Sequence, residues 1–345
     1  MENLLEILAT PKQIGILIGA GVSKACGLPN IDDLTKEVRN ILSNVKFIEL
    51  LSENDNVETI LSKVQQLKSL ISDDKKINDL SIEDIQTIEK SIKKTIFDKL
   101  SIDVDFDKIC SLVIWLNFIN RDYEKEIFSL NYDLLLEKAI EKVSLPYFTG
   151  FIGNVEPFFI SDSVDDFTGL YVKQSWTKLW KLHGSLNFKK SKEEKIFIDN
   201  NINDEYENLL VYPSMDKYIS SRKAPFISYL DRFRKYLLGN EKVLLILGYS
   251  FGDEHVNEIM INGLNNNSRL SVFAFSFDEK TFNKGIEILG KYPNISLYTE
   301  KFKYVNKIKS DFINEKNIGD FNNFISIIDF LVNPKKSEII NEKNK

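Results

Sequence analysis

Short unbroken apolar runs alternate along this chain with polar stretches whose apolar residues fall at helical spacing. Ile14-Gly-Ile-Leu-Ile18 is the first such run, and it ends in Gly19-Ala20-Gly21. Unbroken apolarity over five or six residues predicts a strand covered on both faces, as in a parallel sheet. Glu126 to Leu130, Leu179 to Leu182, Val243 to Leu247 and Leu270 to Phe275 repeat the pattern, and Ile295 to Tyr298 is a sixth candidate. Helix signals follow several of them. A helix is expected from near Ser23 towards the turn Gly27-Leu28-Pro29, an apolar helix over Leu134 to Val143, and another from near Glu254. This βα alternation predicts an α/β fold, a Rossmann-like doubly wound parallel sheet.

Two stretches do not fit the alternation. Ile31 to Leu42 has helical spacing, with Asp32 and Asp33 where a helix dipole favours them. Beyond it, Val57, Ile60, Leu61, Val64 and Leu67 form one stripe, and Ile82, Ile85, Ile88, Ile92 and Ile96 another. Neither Gly nor Pro interrupts the chain between Pro29 and Leu145. The expected organisation is therefore a discontinuous Rossmann domain over 1–46 and 101–300, and a helical insertion module over 47–100. A C-terminal helical segment over 301–345 completes it, with a frayed, charged tail from Pro334. Residues 146–175 and 189–225 read as long excursions rich in aromatic side chains.

Composition narrows the chemistry. The 345 residues carry a net charge of −6, so the chain as a whole has no basic nucleic-acid footprint. Lys189, Lys190 and Lys192 are the densest basic group and read as a solvated loop. Met1 to Thr10 has no positive charge ahead of its apolar residues, unlike a signal peptide. The longest apolar runs are far shorter than the roughly 20 residues of a membrane helix. A cytoplasmic protein with reduced thiols is expected. The two cysteines, Cys26 and Cys110, cannot build a four-cysteine zinc site, and no metal is expected. Only His183 and His255 titrate near neutrality without a perturbed environment.

Four polar clusters fall at the carboxyl ends of predicted strands, the edge where open α/β sheets bind ligands. Gly19-Ala20-Gly21-Val22-Ser23 would let backbone approach a phosphate, although GxGxxG fails at Lys24 and no P-loop is present. Asn131-Tyr132-Asp133 offers an amide and a carboxylate; it reads equally as a helix cap with a core tyrosine. His183-Gly184-Ser185 holds the natural candidate for a general base. Gly248-Tyr-Ser-Phe-Gly-Asp-Glu-His255 supplies Ser250 as a donor to phosphate or ribose, Asp253 as a helix cap, and His255 in a first turn. The dipole there disfavours a charged imidazole, so His255 reads as secondary.

Taken in order, GAGVSxxxGLP (Gly19 to Pro29), SLNYDLLLE (Ser129 to Glu137), KLHGS (Lys181 to Ser185) and GYSFGDEH (Gly248 to His255) resemble the sirtuin-like NADases of bacterial antiphage defence. The resemblance implies an NAD⁺ pocket between the sheet and a smaller helical module. It implies that Gly19, Ala20, Gly21 and Ser23 hold the pyrophosphate, and that Gly248 and Ser250 contact the phosphate or adenosine side. Asn131 and Asp133 would face the nicotinamide-side ribose, with His183 as the catalytic histidine. Two departures from sirtuin deacylases stand out: there is no cysteine module, and Asn30-Ile31 follows Gly-Leu-Pro where Phe-Arg is usual. Both favour cleavage of NAD⁺ over deacylation.

The expectation is thus an NAD⁺ hydrolase that releases nicotinamide and ADP-ribose and acts as an abortive-infection effector. An NAD⁺ or ADP-ribose sensor is one alternative; a deacylase or ADP-ribosyltransferase without zinc is another. Gating by a separate regulatory subunit (an ATPase or nucleotide-processing protein) or by self-assembly is expected, because unchecked cleavage would kill the host. Tyr147, Phe148, Phe151, Phe158, Phe159, Tyr171 and Trp176 would serve as an interface or as core cover. No membrane contact or direct nucleic-acid binding is expected.

Overall fold

The computed structural model describes residues 8, 13–71, 76–119, 123–165, 169–200, 206–210, 224–312 and 317–332. Its centre is a sheet in which β1 (Gln13–Ile18) lies between β2 (Lys125–Ser129) and β10 (Lys242–Leu247), all parallel. Beyond β2 come β6 (Thr177–Lys181) and the short β3 (Tyr147–Phe148), and beyond β10 come β11 (Ser271–Phe275) and β12 (Ile295–Tyr298), again all parallel. The chain thus builds outward from β1 to one side and returns to build out on the other, as a doubly wound sheet does. The strand-like runs all fall within this sheet.

Alternate residues of those runs enter different cores. Ile14, Ile16 and Ile18 of β1, with Val243, Leu245 and Leu247 of β10, face one cluster; Leu17, Leu244 and Ile246 face the other. This is why the runs are unbroken: each strand face needs its own apolar set. The first cluster is closed by α5 (Asp107–Ile119), α6 (Leu135–Lys142) and α10 (Phe321–Val332). The second is closed by α7 (Phe226–Leu238), α8 (Glu254–Asn266) and α9 (Glu279–Leu289). Gly15 lies on the second face, where an added Cβ would come within 2.5 Å of the Tyr236 ring.

A third core is built mainly by helices. α2 (Ile31–Leu42), α3 (Val57–Leu70) and α4 (Ile82–Leu100) bury the two stripes against each other, with Phe47 and Leu186. α2 and α4 each begin in a capping box, Asn30 with Asp33 and Ser81 with Asp84. Tyr132 packs against the edge of this core, so the loop after β2 is held by the helical module as well as by the sheet.

The structure adds elements that the pattern did not signal. A second, antiparallel sheet runs β4 (Phe151–Ile152), β5 (Phe158–Phe159), β8 (Ile196–Ile198), β7 (Gly184–Lys190) and β9 (Glu207–Leu210). Lys189 and Lys190 lie in β7 and not in a solvated loop. Lys189 is buried, donates to Asn208 and lies over the Phe97 ring, while Lys190 pairs with Glu194. From 301 the chain first forms a hairpin, β13 (Phe302–Val305) and β14 (Ile308–Asp311), which extends the main sheet antiparallel, and only then α10. Phe148 and Phe151 are core residues, whereas Phe158 and Tyr171 are exposed. The tail from Pro334 and residues 211–223 of the second excursion lie outside the described residues. Among the described residues no helix is long and apolar enough to cross a membrane.

Candidate active site

The last residues of the central strands lie level. Ile18 pairs with Ser129 and with Leu247, and Ser129 pairs with Lys181. The four polar clusters therefore leave the sheet at one carboxyl edge. The winding reverses between β1 and β10, which makes the crevice above those two strands the expected ligand position.

The glycines at that crevice are required by one another. Gly19 N–H donates to Leu247 O and Gly21 N–H to Gly248 O, both at 2.9 Å. A Cβ on Gly19 would meet Gly248 O at 2.5 Å, one on Gly21 would meet Gly248 Cα at 2.8 Å, and one on Gly248 would meet Val22 N at 2.5 Å. Gly248 also has φ +64°, a conformation that favours glycine. The two loops thus interlock backbone to backbone. What they turn outward is Ala20, Gly21 and Ser250, which are exposed. The helix that follows, α1 (Ala20–Ala25), starts at Ala20 and not near Ser23.

Ser23, Asn131 and Asp133 form one buried knot. Ser23 Oγ donates to Asp133 Oδ2 at 2.6 Å, and Asn131 Nδ2 donates to Ser23 Oγ at 2.8 Å and to Gly19 O at 3.1 Å. Asp133 Oδ1 accepts from Leu135 N–H at 3.0 Å and so caps α6. Asp133 is accordingly both cap and tether, and Ser23 faces the carboxylate rather than the open edge. Cys26 lies near the knot; burial first, then Asp133 and Asp105, push its thiol up to about 11.

His183 is buried two residues beyond β6, and its Nε2 lies 2.9 Å from Asp253 Oδ2. Asp253 was expected only as a cap. Its Oδ1 does cap α8, accepting from His255 N–H at 3.0 Å and from Val256 N–H at 3.3 Å, while Oδ2 reaches His183. In the neutral imidazole this contact takes the Nε2 proton and leaves Nδ1 as the accepting nitrogen. The contact joins loops that leave strands three places apart, about 14 Å at the usual strand spacing. It is possible because the GYSFGDEH segment alternates: Tyr249, Phe251 and Asp253 point inward, and Ser250, Gly252 and Glu254 point outward. Tyr249 Oη donates to Asn257 Oδ1 at 2.9 Å, accepts from Asp253 N–H and fixes the turn. His255 is half-buried in the first turn of α8.

Two further buried side chains support the loop after β2, and both stood unremarked within the motifs. Lys181 Nζ donates to Asp133 O and lies 3.3 Å from Glu137 Oε1. Burial pushes the Glu137 carboxyl up, against the opposing pull of Lys181. No group of three or more His, Cys, Asp or Glu side chains among the described residues could hold a metal ion.

Comparison with known proteins fits this architecture. Residues 125–296 match the family model of the SIR2-like domain. That span runs from β2 into β12 and omits β1 with its glycine loop, which the fold places at the centre of the same sheet. A solved structure of a Sir2 homolog–NAD complex superposes with a TM-score of 0.52 at 12% identity, covering 97% of this chain and 94% of that one. A mutant Sir2 homologue with 2'-O-acetyl ADP ribose gives a TM-score of 0.42 at 13% identity, over 81% of this chain and 86% of that one. No curated protein matches the chain in sequence. The chain is thus similar to the SIR2-like domain over residues 125–296, within a mixed α/β fold similar to that of a Sir2 homologue.

Proposed function

We propose that the chain hydrolyses NAD⁺ to nicotinamide and ADP-ribose. The observation that carries this reading is the His183–Asp253 contact, at the same sheet edge as Asn131 and the β1–β10 crevice. The Sir2-like fold and the NAD complex of the similar structure supply the substrate class. Breaking the nicotinamide–ribose bond develops oxocarbenium character on the sugar. Nicotinamide leaves neutral, so no general acid is needed. The site has to orient the ribose and deliver water. His183, held through Nε2, presents Nδ1 as the base for that water. Asn131 uses its amide N–H groups on Gly19 and Ser23 and keeps its carbonyl oxygen for a ribose hydroxyl or the water. Ala20, Gly21, Gly248 and Ser250 line the dinucleotide crevice. Asp133 and Ser23 act by fixing Asn131 and the start of α6.

General base catalysis is typically worth about 10²–10⁴-fold, so His183→Ala should retain about a hundredth of the activity or less. Product analysis of NAD⁺ incubated with the chain should show nicotinamide and ADP-ribose in equal amounts. Near-normal turnover by His183→Ala would overturn the assignment. Nicotinamide release that requires an acyl-lysine peptide or an accepting protein would replace hydrolysis by transfer. In the cell, the reading extends to an antiphage effector that depletes NAD⁺ and is held inactive until triggered, through self-assembly or a regulatory partner.

A further inference from the structure

A cavity of about 720 Å³ opens at the opposite, amino edge of the main sheet. Gln13, Lys242 and Ser271 bring the first residues of β1, β10 and β11 to it, and Glu126 of β2 and Arg232 of α7 form part of its wall. None of the residues of the carboxyl edge takes part.

The wall contains a charge imbalance. Glu126 is fully buried and accepts from Arg232 Nε and Nη2, both at 2.7 Å, and from Trp180 Nε1 at 2.9 Å. Glu124 accepts from Lys178 Nζ at 2.7 Å and from Arg232 Nη2 at 3.3 Å. Two carboxylates are thus occupied by two cations, and Lys242 is a third. Lys242 is 9% exposed, and among the described residues its ammonium has no hydrogen-bond or ion-pair partner. It rests 5.1 Å from the centre of the Tyr236 ring. Its stem crosses Gly239, where an added Cβ would come within 2.7 Å of Lys242 Cε, so the missing side chain makes room for it. Burial lowers its proton affinity, opposed by Glu126 and Glu124. A cation held this far from water without a matching anion is costly unless a ligand supplies one. At the rim, Arg269 is exposed and lies 3.9 Å from the exposed Glu241 of the same wall, so the positive charge without an ion pair there is that of Lys242.

We propose that this cavity is a second ligand site, which takes a small molecule through an oxyanion, carboxylate or phosphate, bound to Lys242. The site is separate from the carboxyl-edge site and does not depend on the reaction proposed there.

The test is calorimetric titration of the full chain with inorganic phosphate in one arm and succinate in the other, at ionic strength held constant with chloride. Saturable binding is expected in at least one arm, and the arm that binds identifies the oxyanion. Lys242→Met, which keeps the stem over Gly239, should weaken Kd tenfold or more. Arg269→Gln, an exposed change that leaves the fold intact, should weaken it two- to fivefold. Absence of saturable binding in both arms would overturn the proposal. So would equal affinity in Lys242→Met, or, if that variant does not fold, equal affinity in Arg269→Gln.

Discussion

Asp253 carries two tasks on its two oxygens, and a single substitution can separate them. Asn is as good a helix cap as Asp, so Asp253→Asn should keep the Oδ1 contacts that start α8. Its amide N–H₂ would then face His183 Nε2 as a donor, and the imidazole would have to move its proton to Nδ1, the nitrogen assigned to the water. The expected outcome is a kcat lower by about 10²-fold or more, with KM and melting temperature close to those of the unchanged chain. Asp253→Ala should lower both kcat and melting temperature, since cap removal typically costs about 1 kcal/mol. A kcat for Asp253→Asn within threefold of the original would show that the contact is structural only. At this scale the sequence was half informative. His183 stood out because the chain has only two histidines. Its partner did not, because Asp253 lies 70 positions away and already had a sufficient explanation as a cap.

Between elements, the helical module depends on Glu89. This buried side chain on α4 accepts from Gln65 at 2.9 Å and Lys68 at 2.8 Å, both on α3, and from Lys93 at 2.5 Å one turn on. Burial alone would raise its pKa, but Lys93 and Lys68 hold the carboxyl below the ordinary glutamate range. A depressed folded pKa means stability that is present above the unfolded value, about 4.3, and is lost as pH falls through the folded one. Glu89→Gln should therefore destabilise the chain by about 1–2 kcal/mol at pH 7, after allowing for the solvent that reaches Lys68 and Lys93. Thermal melts should show the gap narrowing as the pH drops below about 4. A gap that stays constant from pH 7 to pH 3 would mean that Glu89 acts by packing alone. The helices themselves were legible, since Val57, Ile60, Leu61 and Val64 bury the stripe their spacing defines. Their contact with Tyr132 was not, because the sequence allows a core tyrosine there without saying which core it joins.

At the scale of the whole molecule, one long sheet with a core on each face uses strands from Gln13 to Asp311, and the helical module fills most of the remainder. On the proposed reading, the hydrolase is gated by association. Specific activity of the isolated chain should rise with protein concentration, or on addition of a regulatory partner. Full turnover that is independent of both, measured down to nanomolar protein, would contradict the gating reading. The sheet also separates two sites by its own polarity: carboxyl ends carry the NAD⁺ reading, and amino ends carry Lys242.

By itself, the sequence determined the parallel sheet and its helices, because burial on both faces and helical burial each impose a period that survives without the partner elements in view. Strand runs and stripes lie within a residue or two of the observed elements at Ile31–Leu42 and Ile295–Tyr298. It also placed the polar clusters at strand ends. Tertiary structure decided everything that depends on which loop meets which. Gly19, Gly21 and Gly248, read from the sequence as room for a phosphate, also make room for each other. Asn131, Asp133 and Ser23 became a knot, His183 acquired Asp253, and Lys242 was left without an ion pair of its own among the described residues. The second sheet and the terminal hairpin stayed hidden because short antiparallel strands owe their pairing to cross-strand neighbours distant in sequence, and no local period announces them.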